Sequence, residues 1–133
     1  MPPKHEEFSI ASTDDVVRAR QFVRKWASDL KFSLVDQTKL VTATSELARN
    51  TFQHGGGGTM TAEIVENGAR QGIRLTFEDH GPGIEDIDLA MRGGFSTGKG
   101  MGLGLSGSKR LVNEFNIKSE AGRGTTVSIT RWK

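Results

Sequence analysis

A carboxylate and a carboxamide stand four residues apart in the run Ser45-Glu46-Leu47-Ala48-Arg49-Asn50. On a helix that spacing places them one above the other on a single face, a pairing that a nucleotide-dependent phosphotransfer site could use. At about 100° per residue, Glu46, Asn50 and His54 form a stripe roughly 80° wide at the border of the apolar face, while Arg49 points away. A border stripe can line a pocket beside the core. Taken alone, the pair reads better as a solvated helix edge, so the rest of the chain must decide between them.

Asp79 follows Phe77 at the end of an expected strand and precedes Gly81-Pro82-Gly83. Its carboxylate would emerge where glycines let a flat ring approach the backbone. There it could accept a hydrogen bond from the exocyclic amine of adenine, whereas guanine would present a carbonyl oxygen and be repelled. An ordinary Asp-x-Gly hairpin turn is the competing account of these residues.

From Gly93 to Gly107 the chain holds seven glycines, too many for a packed element and suited to a loop over a ligand. Gly93-x-x-x-x-Gly98-Lys99 nearly matches a P-loop. Gly100, however, stands where a hydroxyl must meet magnesium, and no apolar strand leads in. Gly102-x-Gly104-x-x-Gly107 matches a dinucleotide fingerprint but lacks the preceding strand and the acidic residue of a βαβ unit. With both excluded, what remains is a lid whose backbone amides, with the start of the following helix, can cradle a polyphosphate. Ser96, Thr97 and Lys99 could add hydroxyl donors and a positive charge.

The elements that must position these groups are legible in the apolar period. Phe8 to Ile10 reads as a short strand. Ser12-Thr13-Asp14-Asp15 reads as a capped start for a helix from about Thr13 to Leu30, with Val16, Ala19, Phe22, Val23, Trp26 and Ala27 inward. Ser33-Leu34-Val35-Asp36 repeats the capping pattern and opens a second helix, which Gly55 to Gly58 end. Met60, Ala62 and Ile64, then Ile73, Leu75 and Phe77, alternate with polar residues as an antiparallel hairpin, its loop running from Asn67 to Gly72. Ile84 to Met91 is a short helix candidate. Helical spacing resumes from Leu103 to Phe115, and Ile117, Val127 and Ile129 mark two closing strands around Gly122-x-Gly124.

Composition sets the limits. The 133 residues read as a single domain, 1–133, with an ordinary core. There is no cysteine for a disulfide framework or thiolate nucleophile, and three scattered histidines offer no zinc cluster. Residues 1–10 are polar and no window approaches a membrane span, so a cytoplasmic protein without membrane association is expected. The net charge of +2 is spread among interspersed acids and bases, which argues against nucleic acid as a partner. Hairpins mixed with helices imply an α+β two-layer sandwich, helices on one face of a mixed, mostly antiparallel sheet.

Ser45 to Asn50, Asp79-x-Gly81-x-Gly83 and Gly98 to Gly104 resemble the N, G1 and G2 boxes of the ATPase and kinase superfamily that includes gyrase, Hsp90-type heat-shock proteins, histidine kinases and MutL. Over nearly its whole length the chain is similar to the small serine/threonine kinases of bacterial partner-switching systems, of the RsbT switch-kinase type. Val35-Asp36-Gln37, Gly94-Phe95-Ser96-Thr97 and Lys109-Arg110-Leu111 with Glu114-Phe115 carry that closer match.

The resemblance implies a Bergerat-type fold that uses ATP and Mg2+. It implies Glu46 as general base, Asn50 as magnesium ligand and Asp79 as adenine contact, with Gly81, Gly83 and Ile84 at the base. Ser96, Thr97, Gly98, Lys99, Gly100, Met101, Gly102, Leu103 and Gly104 would surround the phosphates, and Thr125 would help Asp79 hold adenine. Arg49 resembles a partner-facing arginine. The implied activity is phosphorylation of a Ser or Thr on an STAS-domain antagonist, followed by a switch to another partner such as a PP2C-type phosphatase. The alternative is an anti-sigma factor of the RsbW type, which sequesters a sigma factor.

Overall fold

The computed structural model describes residues 5–84, 86–87, 91 and 103–133. The elements follow in the order β1 (His5–Ile10), α1 (Thr13–Asp29), α2 (Leu34–Gln53), β2 (Gly58–Asn67), β3 (Arg70–Asp79), α3 (Leu103–Arg110), β4 (Glu114–Glu120) and β5 (Gly124–Trp132). The strands form one sheet in the order β1-β2-β3-β5-β4, and each of these pairings is antiparallel. Helices α1 and α2 pack on each other and on this sheet, and α3 packs on α2. This is the α+β sandwich expected from the mixture of periods.

Local chemistry explains the boundaries. Ser12 caps α1 by accepting from Asp15 N–H at 3.2 Å, and Ser33 caps α2 by accepting from Asp36 N–H at 3.1 Å. Both hydroxyls satisfy amides that have no partner within the helix. At the end of α1, Phe32 N–H returns to Ala27 O and Lys31 N–H to Ser28 O, with Lys31 at φ 67°. That closes the helix in the Schellman manner with a lysine where glycine is usual.

Period-two alternation aims Met60, Ala62, Ile73, Leu75, Phe77, Val127 and Ile129 at the helices, where they meet Leu40, Ala43, Leu47 and Ala48. All of these are buried, and each full-size aliphatic chain so buried stabilises the fold by roughly 1.5–3 kcal/mol. Thr61, Arg74, Thr76, Thr126 and Ser128 occupy the alternate positions of the same strands, where burial is only partial.

Some boundaries differ from the periodic reading. The hairpin loop is shorter than Asn67 to Gly72: Asn67 pairs with Arg70, so only Gly68 and Ala69 turn the chain. Gly68 at φ 63° supplies the positive φ a two-residue turn demands. The last helix stops at Arg110 rather than reaching Phe115, because pairing with β5 draws Glu114 and Phe115 into β4 opposite Thr130 and Ile129. The freed carbonyl of Leu111 accepts from Arg131 Nη1 at 2.9 Å. Of the short helix expected over Ile84 to Met91, one backbone bond is described, Met91 N–H to Ile87 O at 2.9 Å. Ile84 and Asp86 are not helical, and residues 85 and 88–90 lie outside the described residues.

A polar contact crosses the sandwich. Arg131 Nη2 on β5 donates to Asp36 Oδ1 in the first turn of α2 at 2.6 Å, with the two side chains 14% and 28% exposed. The guanidinium beside Asp36 holds its carboxyl below the usual range, with the Arg131 hydrogen bond as the largest cause and partial burial opposing it.

Candidate functional site

The C-terminal half of α2 and the end of β3 converge on one pocket. Its apolar wall is made by Leu47, Phe77, Ile84, Leu105 and Val127, and its polar groups are Asn50, Thr51, His54, Asp79 and Thr125. Thr51 Oγ1 is occupied with Leu47 O at 2.9 Å, an i to i−4 bond within the helix. Of the other four, His54 and Thr125 bond neighbouring residues through Gly83 O and Ser119 Oγ, while Asn50 and Asp79 keep side-chain oxygens without a partner among the described residues.

Asp79 is 7% exposed at the close of β3. Its Oδ1 accepts twice, from Gly81 N–H at 2.9 Å and from Thr125 N–H at 3.2 Å. Those bonds fix the carboxylate in place and leave Oδ2 without a partner among the described residues. A buried carboxylate oxygen with open acceptor capacity suits a ligand amine.

The chain reaches this geometry only with glycine at two neighbouring points. A Cβ on Gly55 would lie 2.3 Å from Asp79 Cγ, so the end of α2 can touch the carboxylate only without a side chain. Gly83 has φ 76°, and a Cβ there would lie 2.1 Å from Glu120 O.

The peptide between Gly83 and Ile84 is held from both sides. His54 Nε2 donates to Gly83 O at 3.3 Å, and Ile84 N–H donates to Ser119 Oγ at 2.7 Å. Gly122 N–H adds a bond to Pro82 O at 2.7 Å. The segment after Asp79 is thus tied to α2, β4 and the β4–β5 turn.

Asn50 is half-buried, and its carboxamide bonds no described residue, so its oxygen is open to a ligand or cation. Glu46 lies one turn earlier, about 6 Å along the axis. It does not line the pocket, and its Oε1 stands 3.5 Å from Arg49 Nη1. Arg49, expected to point away, instead leans back along the helix to this carboxylate while remaining largely exposed.

The structure brings together Asn50, His54, Asp79, Ile84 and Thr125 in one wall, with Gly81 and Gly83 shaping the segment beside it. Leu103 and Gly104 open α3. Ser96, Thr97, Gly98, Lys99, Gly100, Met101 and Gly102 lie outside the described residues. Sequence reasoning passed over Gly55, which it took only as a helix stop, and Ser119, which no motif marks. The clash of a Gly55 Cβ arises against Asp79 on β3, and the Ser119 contacts join β4 to Ile84 and, across the β4–β5 turn, to Gly124 and Thr125.

Residues 35–133 match the family of histidine kinase-, DNA gyrase B-, and HSP90-like ATPases. The chain belongs to that family. It is 46% identical over 118 residues to the serine/threonine-protein kinase RsbT of Bacillus subtilis, covering 89% of each chain. An anti-sigma F factor of Anoxybacillus flavithermus is 29% identical over 134 residues, 96% of this chain and 90% of its own.

Among solved structures, the RsbU and RsbW domains of a Mycobacterium tuberculosis protein superpose with a TM-score of 0.67 at 22% identity. The match covers 100% of this chain and 33% of that one. The mycobacterial sensor histidine kinase MprB gives a TM-score of 0.54 at 18% identity, over 96% of this chain and 97% of that one. These two fix the family's fold and nothing finer. The pocket between α2, β3 and β5 takes Leu47 and Asn50 from the first of the three sequence boxes and Asp79 from the second.

Proposed function

We propose that this chain is an ATP-dependent serine/threonine-protein kinase of a bacterial partner-switching module, acting in the cytoplasm on an STAS-domain antagonist. After phosphorylation it passes to a second partner, such as a PP2C-type phosphatase. The observation that carries the reading is the Asp79 carboxylate, anchored through Oδ1 and open through Oδ2 in an apolar wall, in a chain 46% identical to a named kinase.

Adenine fits such a wall by laying its ring on Ile84, Leu105 and Val127 and giving its amine to Asp79. Among the described residues no three His, Asp or Glu side chains stand together to hold a metal alone. The open carboxamide oxygen of Asn50 nevertheless suits a hard cation whose other ligands are phosphate oxygens and waters. Magnesium held there would neutralise charge on the phosphates during transfer.

Glu46, one turn from Asn50, accepts the proton of the attacking hydroxyl. Its ion pair with Arg49 is largely exposed, and exposed helical pairs contribute only about 0.3–0.5 kcal/mol, so it opens readily. The family resemblance assigns Ser96, Thr97 and Lys99, with Gly98 to Gly104, to the phosphates.

Transfer from labelled ATP to a purified STAS-domain protein tests the reading. Glu46→Ala is expected to bind Mg-ATP yet transfer nothing, and undiminished transfer overturns its role as base. Asp79→Asn is expected to weaken ATP binding at least about tenfold, since an amide donor replaces the acceptor. Unchanged affinity by calorimetry removes the adenine contact.

A second reading is favoured by relatives at 27–30% identity named anti-sigma F factors. Here the chain sequesters a sigma factor and phosphorylates the antagonist that frees it. Co-purification separates the two, with a sigma subunit bound in place of an STAS protein favouring the second.

A further inference from the structure

Ser119 has one hydroxyl proton and three polar neighbours. Ile84 N–H donates to its Oγ at 2.7 Å, Gly124 O accepts from it at 3.1 Å, and Thr125 Oγ1 lies 2.8 Å away. A carbonyl oxygen can only accept, so the Gly124 contact uses the Ser119 proton. The remaining contact is then a hydrogen bond only if Thr125 is its donor. The reverse arrangement, with Ser119 donating to Thr125, sets the Ser119 oxygen against the Gly124 carbonyl with no proton between them. One arrangement alone fills all three contacts.

Thr125 stands in the pocket wall next to Asp79, to which its own N–H donates. With the hydroxyl proton turned back toward Ser119, Thr125 shows the pocket lone pairs only. Oδ2 of Asp79 does the same. Two acceptors side by side admit a base edge that carries hydrogen-bond donors, directly or through a shared water, and repel one that carries a carbonyl oxygen.

We propose that Ser119, which stands behind the wall and does not line the pocket, is a positioning residue for base selectivity. It fixes the Thr125 hydroxyl as an acceptor and so favours a 6-aminopurine over a 6-oxopurine. Without Ser119 the hydroxyl is free to rotate and donate to a 6-oxo group. The inference rests on the nucleotide reading of the pocket given above, and adds a residue that acts through Thr125 rather than on the base.

Calorimetry with ADP and with inosine diphosphate tests it, because the two ligands differ only along the 6-edge of the base, amine and bare N1 in one, carbonyl and N1–H in the other. Ser119→Ala is expected to narrow the wild-type preference for ADP by roughly five- to tenfold, the value of one hydrogen bond gained by the oxo group. Ser119→Thr, which keeps the hydroxyl, should retain the preference. In a Thr125→Val background, Ser119→Ala should change the ratio no further. Equal weakening of both ligands by Ser119→Ala, with the ratio intact, overturns the proposal and leaves Ser119 a support of the fold. A wild type without preference between the two ligands overturns the adenine reading itself. If Ser119→Ala does not fold, Ser119→Cys provides the same comparison, since a thiol is a weak partner for Thr125.

Discussion

His54 and Ser119 grip opposite ends of one peptide group. The imidazole holds the carbonyl of Gly83 at 3.3 Å while the hydroxyl holds the N–H of Ile84 at 2.7 Å, one from the end of α2 and the other from β4. Because a peptide is planar, fixing both ends fixes its orientation, and with it the side chain of Ile84 in the pocket wall. His54 must carry its proton on Nε2 to make this bond, since a carbonyl only accepts.

Removing one end of that grip should loosen the segment without dismantling the core. His54→Ala is expected to weaken ADP binding roughly fivefold, the value of about 1 kcal/mol for one hydrogen bond. It should also speed amide hydrogen exchange at Ile84 measured by NMR. His54→Gln, whose amide can donate in the same direction, should recover most of both. Exchange at Ile84 that is unaltered in His54→Ala would show that the carbonyl contact does not hold the segment.

Gly55 and Gly56 are adjacent, yet substitution should separate their roles. A Cβ at Gly55 collides with the Asp79 carboxyl, 2.3 Å from Cγ and 2.5 Å from Oδ2, whereas one at Gly56 meets nothing within 4 Å. Gly55→Ala should displace the carboxylate and abolish nucleotide binding. Gly56→Ala should leave binding intact and cost only about 1 kcal/mol in thermal or urea unfolding, because φ there is 75°. Retained binding by Gly55→Ala would mean that Asp79 can shift and still serve.

The Asp36–Arg131 pair gives stability a pH dependence of defined sign. The Asp36 pKa is lowered on folding from an ordinary 3.8. The pair therefore contributes fully above that value and is lost as pH falls through the lower, folded value. Urea unfolding of the wild type from pH 7 down to pH 2 should show this loss. Asp36→Asn should lower stability at pH 7 by about 1–2 kcal/mol, less at the acid end. A constant difference between the two proteins across that range would exclude Asp36 as the titrating group.

The helices were legible because their signals are local. A serine cap, an apolar repeat and a glycine stop act within a few residues, so α1 and α2 stand close to where the pattern of Val16 to Leu30 and of Leu40 to Thr51 put them. The hairpin strands were legible for the same reason, each face being written in alternate residues. Phe115 was misread because helical spacing after Leu111 matches a strand's inward positions over so short a run. Only pairing with Ile129, fourteen residues on, selects the strand.

The chemical residues divide along the same line. Glu46, Asn50, Asp79 and the glycines around them announce themselves by type and spacing, so the sequence alone was enough to name the family. Which oxygen of Asp79 is engaged and which is open, why Gly55 has no side chain, and how Ser119 governs Thr125 were decided by tertiary structure. Each depends on atoms from separate strands and helices meeting within about 3 Å, and hydrogen bonding and steric exclusion act only at that range.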